Sequence, residues 1–438
     1  MRSLAEALEE GPFQGYAYAY PHKTAYRAMP PRRLEEVWSG EPMDALSLYV
    51  HIPFCSVRCG FCNLFATSGQ ESERVTGYLS ALERQARRVA SALGDARFVR
   101  LAIGGGTPTF LSAGELERLV GILRDTVRVD PAAVPSAVEV SPETATADRL
   151  RVLREAGFRR VSIGVQTFDE ASARAIGRPQ RPRDAASALD RLREAGFRAL
   201  NIDLIYGAPG QPGDDLARSL DTALRWRPEE LYLYPLYIRP LTALGKRSEI
   251  SEATLETYRS GRALLLAEGY EQVSMRMFRR AGVPSSSEPD DYRCQDDGMV
   301  GLGAGARSYT HALHYAGEFA VARASVRDLI DRFVAQGEED MGLVRHGFEL
   351  DTDEQARRWL IQSLLQGEGL DRARYTTRFG RDVLDAWPAL AELEPAELAS
   401  IGRDQIRLTS AGLELSDALG PWLYSEAVRR RMREATLS

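Results

Sequence analysis

The 438-residue chain is about three times the commonest domain length, which excludes a single small module and predicts two to three domains, or one large α/β domain with a small appendage. Its 56 Lys and Arg against 62 Asp and Glu give a net charge of -6, without the positive excess that a phosphate backbone demands, so nucleic acid is excluded as the main partner. A hydrophobic share of 44% with 27% charged residues belongs to a globular chain able to bury a core, not to a disordered or membrane-embedded one.

The opening MRSLAEALEEGPFQ places acidic residues where a signal peptide has its apolar core. No run approaches the roughly 18 apolar residues of a membrane span, so a cytoplasmic protein without membrane contact is expected. The Tyr- and Pro-rich stretch YAYAYPHKTAYRAMPPRR follows neither the helical nor the strand period, and predicts an extended N-terminal arm over residues 1–45.

From residue 46 to 240, apolar or β-branched runs alternate with amphipathic stretches, the pattern of βα units around a parallel sheet. Six strands are expected: Leu46 to His51, Val99 to Ile103, Ala137 to Val140, Val161 to Val165, Leu200 to Tyr206 and Leu231 to Tyr237. Between them, apolar residues at spacings of three and four predict helices at Tyr78 to Leu93, Ala113 to Thr126, Arg149 to Ala156 and Ala185 to Ala195. The phrase LREAGFR recurs at Leu153 and Leu192, where Gly157 and Gly196 are expected to end helices in the left-handed conformation.

Residues 241–338 are read as an elaboration that completes the core on the substrate side, with an exposed loop at Gly282 to Asp291 (GVPSSSEPDD). The βα alternation then stops. A helical stretch from Glu354 to Leu365, a short strand at Ile406 to Thr409 and a helical ALGPWLYSEAVRRRM predict a small α+β domain over 339–438, a stabilising cap or interaction module.

Three of the four cysteines, Cys55, Cys59 and Cys62, form CxxxCxxC directly after the first strand, at the end of the sheet where α/β proteins place their chemistry. Three thiolates on one loop can hold three irons of a four-iron cluster and leave the fourth open to a ligand. Structural zinc is the alternative, but it needs a fourth ligand, and Cys294 is the only other cysteine. Downstream, GGGTPT at Gly104 to Thr109 allows close backbone approach of a ligand, and Thr107 adds a hydroxyl.

The spacing, its position after the first strand and GGGTPT resemble the radical S-adenosylmethionine (SAM) superfamily. More narrowly, YVHIPFC, GGGTPT, VSIGVQTFDE, NIDLIYGAPGQ and GLGAGARSY, in this order, resemble its branch containing oxygen-independent coproporphyrinogen III oxidase and the haem chaperone HemW. The resemblance covers about nine-tenths of the chain, from Tyr49 onward. It implies a partial (β/α)6 TIM-type barrel with an N-terminal arm and a small C-terminal domain like that of HemN, a [4Fe-4S] cluster on the three cysteines, and SAM as cofactor. By the same resemblance Tyr49, Gly105, Glu139, Gln166, Arg178 and Asp203 correspond to contacts of the SAM on the cluster. Phe61, Gly106, Thr107, Tyr234, Tyr237, Ala306 and Arg307 correspond to a second SAM site. An arginine at Arg307 also suits a carboxylate or phosphate on a substrate.

The chain departs from that pattern in two places. The oxidase carries a fourth cysteine two residues after the third, where this chain has Leu64, and HemW-like chains usually have aspartate where this chain has Asn63. The favoured expectation is an enzyme that cleaves SAM reductively to a 5′-deoxyadenosyl radical and modifies an organic small molecule. With a second SAM, the outcome would be methyl or methylene transfer, as in class C-type methyltransferases. The alternative is a HemW-like haem chaperone or a porphyrin enzyme like the oxidase. For haem binding, five histidines offer a nitrogen (His22, His51, His311, His314 and His346), with His311 and His314 close together. An electron donor such as flavodoxin or ferredoxin and a monomeric state complete the expectation.

Overall fold

A computed structural model describes residues 2–69, 72–247, 251–284 and 298–435. Two compact units emerge, one of Arg27–Ala253 and Gly282–Gly347, the other of Met1–Tyr26, Thr254–Ala281 and Phe348–Ala435. Among the described residues, no helix is long and apolar enough to cross a membrane.

In the first unit all six expected strands are present, at Leu46–Ile52, Phe98–Gly105, Ser136–Val140, Arg160–Gln166, Ala199–Tyr206 and Glu230–Pro235. They lie side by side in chain order, each parallel to the next. Helices cover their outer side, which is why Leu48, Val50, Ile163, Ile202 and Leu233 are fully buried and the strands read as continuous apolar runs. Each such side chain contributes about 1.5–3 kcal/mol by leaving water. Gly157 (φ +99°) and Gly196 (φ +71°) end the helices Ala147–Ala156 and Pro182–Ala195 as expected. This is an α/β partial barrel.

A further strand, Met299–Leu302, pairs parallel with Leu46–Ile52 on its other side. From there the sheet continues through Arg307–Tyr309, Leu313–Ala316, Leu343–Glu349 and Arg27–Arg33. Several of these have only three or four residues, too few to display a period of two.

The N-terminal segment differs from the extended arm expected. Leu4–Glu9 is a helix, closed by a capping box between Ser3 and Glu6, and Arg27–Arg33 is a strand. In the second unit, Thr352–Leu364 is the expected helix, and Leu370–Asp371, Gln405–Leu408 and Ala399–Ile401 form a small antiparallel sheet. The final helical stretch is two helices, Ser416–Trp422 and Glu426–Arg433, the second restarted by Ser425, whose hydroxyl caps Val428. Most of the predicted loop at Gly282 to Asp291, and Cys294, lie outside the described residues.

Candidate functional site

Although the parallel strands are buried, each keeps a position near its middle or carboxyl half accessible: Tyr49, Ala102, Glu139, Gly164, Asp203 and Tyr232. The register aligns them, with Tyr49 opposite Ala102, Gly164 opposite Asp203 and Asp203 opposite Tyr232. The accessible face is therefore the lumen of the barrel, open to a ligand. Three residues assigned to SAM from the resemblance, Tyr49, Glu139 and Asp203, stand on it.

The cysteine loop follows the first strand. Thr107 donates from its backbone N–H to the Phe54 carbonyl at 2.7 Å, and its hydroxyl lies 3.6 Å from Cys55 Sγ. A Cβ on Gly106 would come within 2.9 Å of that sulfur, so only glycine leaves room there. Arg178, itself buried, donates from Nη1 to Cys59 Sγ at 3.3 Å and from Nη2 to the Gly164 carbonyl at 2.7 Å, while Gln180 orients its Nε. The loop is pinned from outside: Gly60 N–H donates to the Ile176 carbonyl, Leu244 N–H donates to the Gly60 carbonyl, and a Cβ on Gly60 would lie 2.9 Å from Ile176 O. Arg58 ties the loop further to the carbonyls of Cys62 and Val321.

At the end of the second strand, Gly105 N–H donates to Glu139 Oε2 at 3.2 Å. Gly105 has φ +115°, and a Cβ there would strike the His51 ring at 2.6 Å. His51 accepts at Nδ1 from the Tyr49 hydroxyl (3.1 Å) if Nε2 carries the proton that reaches the Phe65 carbonyl (2.9 Å). Gln166 ends the fourth strand at φ +72°, a left-handed backbone that a β-carbon makes costly and that marks constrained functional positions. Asp203 accepts from Asn201 Nδ2 at 2.7 Å and from the Ser162 hydroxyl at 3.2 Å.

The electrostatics follow from this enclosure. Burial pushes the Cys55 thiol up to about 12, partly offset by Thr107, and the neighbouring Cys62 and Cys59 raise it further. Cys59 is raised by burial and eased by Arg178. Surrounding protein atoms, with Asp203 second, push Glu139 up to about 7 even though its carboxylate looks into the accessible lumen. Asp203 is raised by burial as well. The result is a lumen with two carboxylates that resist sharing negative charge beside thiols that resist ionising, a site that favours cationic occupants.

The residues assigned to a second SAM fall into separate groups. Phe61 and Tyr234 pack on one apolar cluster with Ile176, Ile205, Leu236 and Leu244. Gly106 and Thr107 lean on Cys55 as described. Tyr237 carries the Arg239 guanidinium over its ring at 5.0 Å. Ala306 and half-buried Arg307 follow Met299–Leu302, where Gly301 leaves no room for a Cβ beneath the Arg307 backbone. His314 is wholly buried, 4.3 Å from the Tyr309 ring, and His311 Nδ1 lies 2.8 Å from Glu41, so neither stands open to haem. Arg58, Ser162 and Asn201 were given no role from the sequence, and His51 only that of a possible haem ligand. For His51 a signal existed, since it stands two residues after Tyr49 and thus on the same strand face.

The donor set fits an iron–sulfur cluster. Among the described residues no three His, Cys, Asp or Glu side chains converge as ligands of one ion. Three thiols on one loop, with the Gly106 space beside Cys55, suit a group in which each sulfur takes its own iron.

The family model of the radical SAM superfamily matches residues 49–223. The haem chaperone HemW of Bacillus subtilis is 30% identical over 374 residues, 84% of this chain and 96% of its own. The oxygen-independent coproporphyrinogen III oxidase of Pseudomonas aeruginosa is 31% identical over 385 residues, 84% of this chain and 83% of its own. Among solved structures, the coproporphyrinogen III oxidase HemN of Escherichia coli, a radical SAM enzyme, superposes with a TM-score of 0.79 at 25% identity, covering 97% of this chain and 99% of that one. These relatives lend no support to methyl transfer.

Proposed function

Because the chain belongs to the radical SAM superfamily, in the branch of HemN and HemW, we propose that it binds SAM at Cys55, Cys59 and Cys62 and uses it on a tetrapyrrole. The observation that carries the reading is the lumen itself, where Glu139, Asp203 and the Gly105–Thr107 turn face the cysteine loop. A cluster held there, when bound, supplies the electron that splits the SAM sulfonium into methionine and the 5′-deoxyadenosyl radical that takes hydrogen from the substrate.

The chain's own residues prepare that step. Glu139 receives the ammonium of SAM, whose positive charge relieves the repulsion with Asp203. Asp203, held by Asn201 and Ser162, presents acceptors for ribose hydroxyls. Gly105 and Gly106 let the ligand approach the backbone, Gln166 and Tyr49 offer polar contacts from adjoining strands, and Arg178 lowers the cost of thiolate at Cys59. Phe61 and Tyr234 form an apolar wall, which also serves a second SAM if one binds. The substrate class rests on the relatives, whose names concern coproporphyrinogen and haem.

Anaerobically reconstituted protein with SAM and a reductant is expected to form 5′-deoxyadenosine, faster with coproporphyrinogen III, and Cys59→Ala is expected to lose it. Persistence in the variant removes the cluster assignment. The similarity to HemW across 96% of that protein supports a second reading, haem delivery. Saturable haem binding with no acceleration by coproporphyrinogen would favour it.

A further inference from the structure

The second unit contains a cavity of about 450 Å³ that takes no part in the site above. Four arginines line it, Arg2, Arg357, Arg429 and Arg433, together with Tyr424 and Ser425. Among the described residues that line it the one carboxylate is Glu426, held by Arg433 at 2.7 Å and by Arg429 at 3.4 Å, while Glu10 stands within electrostatic reach of Arg2 and Arg429. Arg2 turns away to pair with Glu10 and Gln14, and Arg357 donates to the Leu423 carbonyl at 2.6 Å and lies 4.2 Å from the Trp387 ring.

Arg429 and Arg433 are four residues apart on one helix face, where like charges repel. Arg2 Nε and Arg429 Nη1 are shut off from solvent and meet no acceptor among the described residues. Glu426 is mostly exposed, and its carboxyl is held below the usual range, chiefly by the hydrogen bond from Arg433. It behaves as an internal occupant of an anion site, loosely placed at the rim.

We propose that this cavity binds the phosphate of a small phosphorylated molecule, with Arg429 and Arg433 as its main partners and Glu426 displaced on entry. A tetrahedral dianion offers acceptors in several directions at once, so it matches the two forks of Arg429 and Arg433, which reach Glu426 from successive turns of one helix, better than a single planar carboxylate does. The volume exceeds what inorganic phosphate fills and lies in the range of small-molecule sites.

Calorimetric titration of the full chain with pyrophosphate tests the site. Saturable one-to-one binding is expected, weakened about tenfold or more in Arg429→Gln/Arg433→Gln, as for loss of a charge-assisted bond. Glu426→Gln is the discriminating variant: removal of the internal competitor should tighten pyrophosphate binding several-fold, whereas a purely structural ion pair predicts no gain. It also leaves every arginine in place, so the test survives if the double variant folds poorly. Absence of saturable binding, unchanged affinity in the double variant, no tightening in Glu426→Gln, or tighter binding of citrate than of pyrophosphate would each overturn the proposal.

Discussion

At the residue scale, Glu139 makes the site sensitive to pH. Its carboxyl, pushed up to about 7, holds a proton more tightly in the fold than in the unfolded chain. In the absence of ligand, its contribution to stability is therefore greatest at low pH and falls as pH rises from the ordinary glutamate range through about 7. A bound ammonium inverts this, because it needs the carboxylate. SAM affinity is expected to rise by about fivefold between about pH 6 and pH 7.5, before the α-amino group of SAM itself deprotonates. Equilibrium binding to the wild type and to Glu139→Gln checks this, and the variant should show weaker, flatter binding. The cysteine loop and the glycine turn stand out in the sequence because each carries its chemistry in one short phrase, whereas Glu139 and Asp203 were singled out only through the family resemblance. What Arg178 touches was not, since its contact with Cys59 spans 119 residues and exists only once the fold closes. The left-handed backbone of Gln166 likewise leaves no trace in composition.

At the scale of elements, the parallel strands were readable because the face under the helices and most of the lumen face are buried, which writes a nearly unbroken apolar run. The short strands Arg307–Tyr309 and Leu313–Ala316 and the helix Leu4–Glu9 were not, since tertiary pairing and caps, rather than periodicity, create them. The cysteine loop depends on one close approach between elements: a Cβ on Gly177 would lie 2.9 Å from Gly60, and Gly177 has φ +67°. Gly60→Ala should push the loop from Ile176, cost about 1–3 kcal/mol and lower iron content after reconstitution. Gly114→Ala is the matched control, because nothing lies within 4 Å of the added carbon. There the melting temperature should hold or rise slightly, since alanine restricts the unfolded chain. Iron assay and thermal melts separate the two.

At the scale of the whole molecule, the second unit gathers three distant stretches of chain around one buried ion pair. Arg276 bonds to Asp417, both about 2% exposed, while the Tyr16 ring covers the Arg276 guanidinium at 4.0 Å and Gly15 N–H donates to the Asp417 carbonyl at 3.1 Å. Asp417→Ala leaves a guanidinium buried without its counter-charge and is expected to cost about 3–5 kcal/mol, read by denaturant unfolding. Tyr16→Ala, which removes only the ring above the pair, should cost about 0.5–2 kcal/mol.

This pairing sets an order of events during synthesis. Asp417 follows Tyr16 by some four hundred residues, so the two leave the ribosome far apart in time. The six parallel strands, contiguous between Leu46 and Pro235, are complete long before Asp417 is made. The segment around Tyr16 thus waits for its final partner until long after those strands are made. A nascent chain stalled between Pro235 and Asp417 presents Tyr16 without the buried ion pair it packs against, whereas its strand-bearing middle is already long enough to fold.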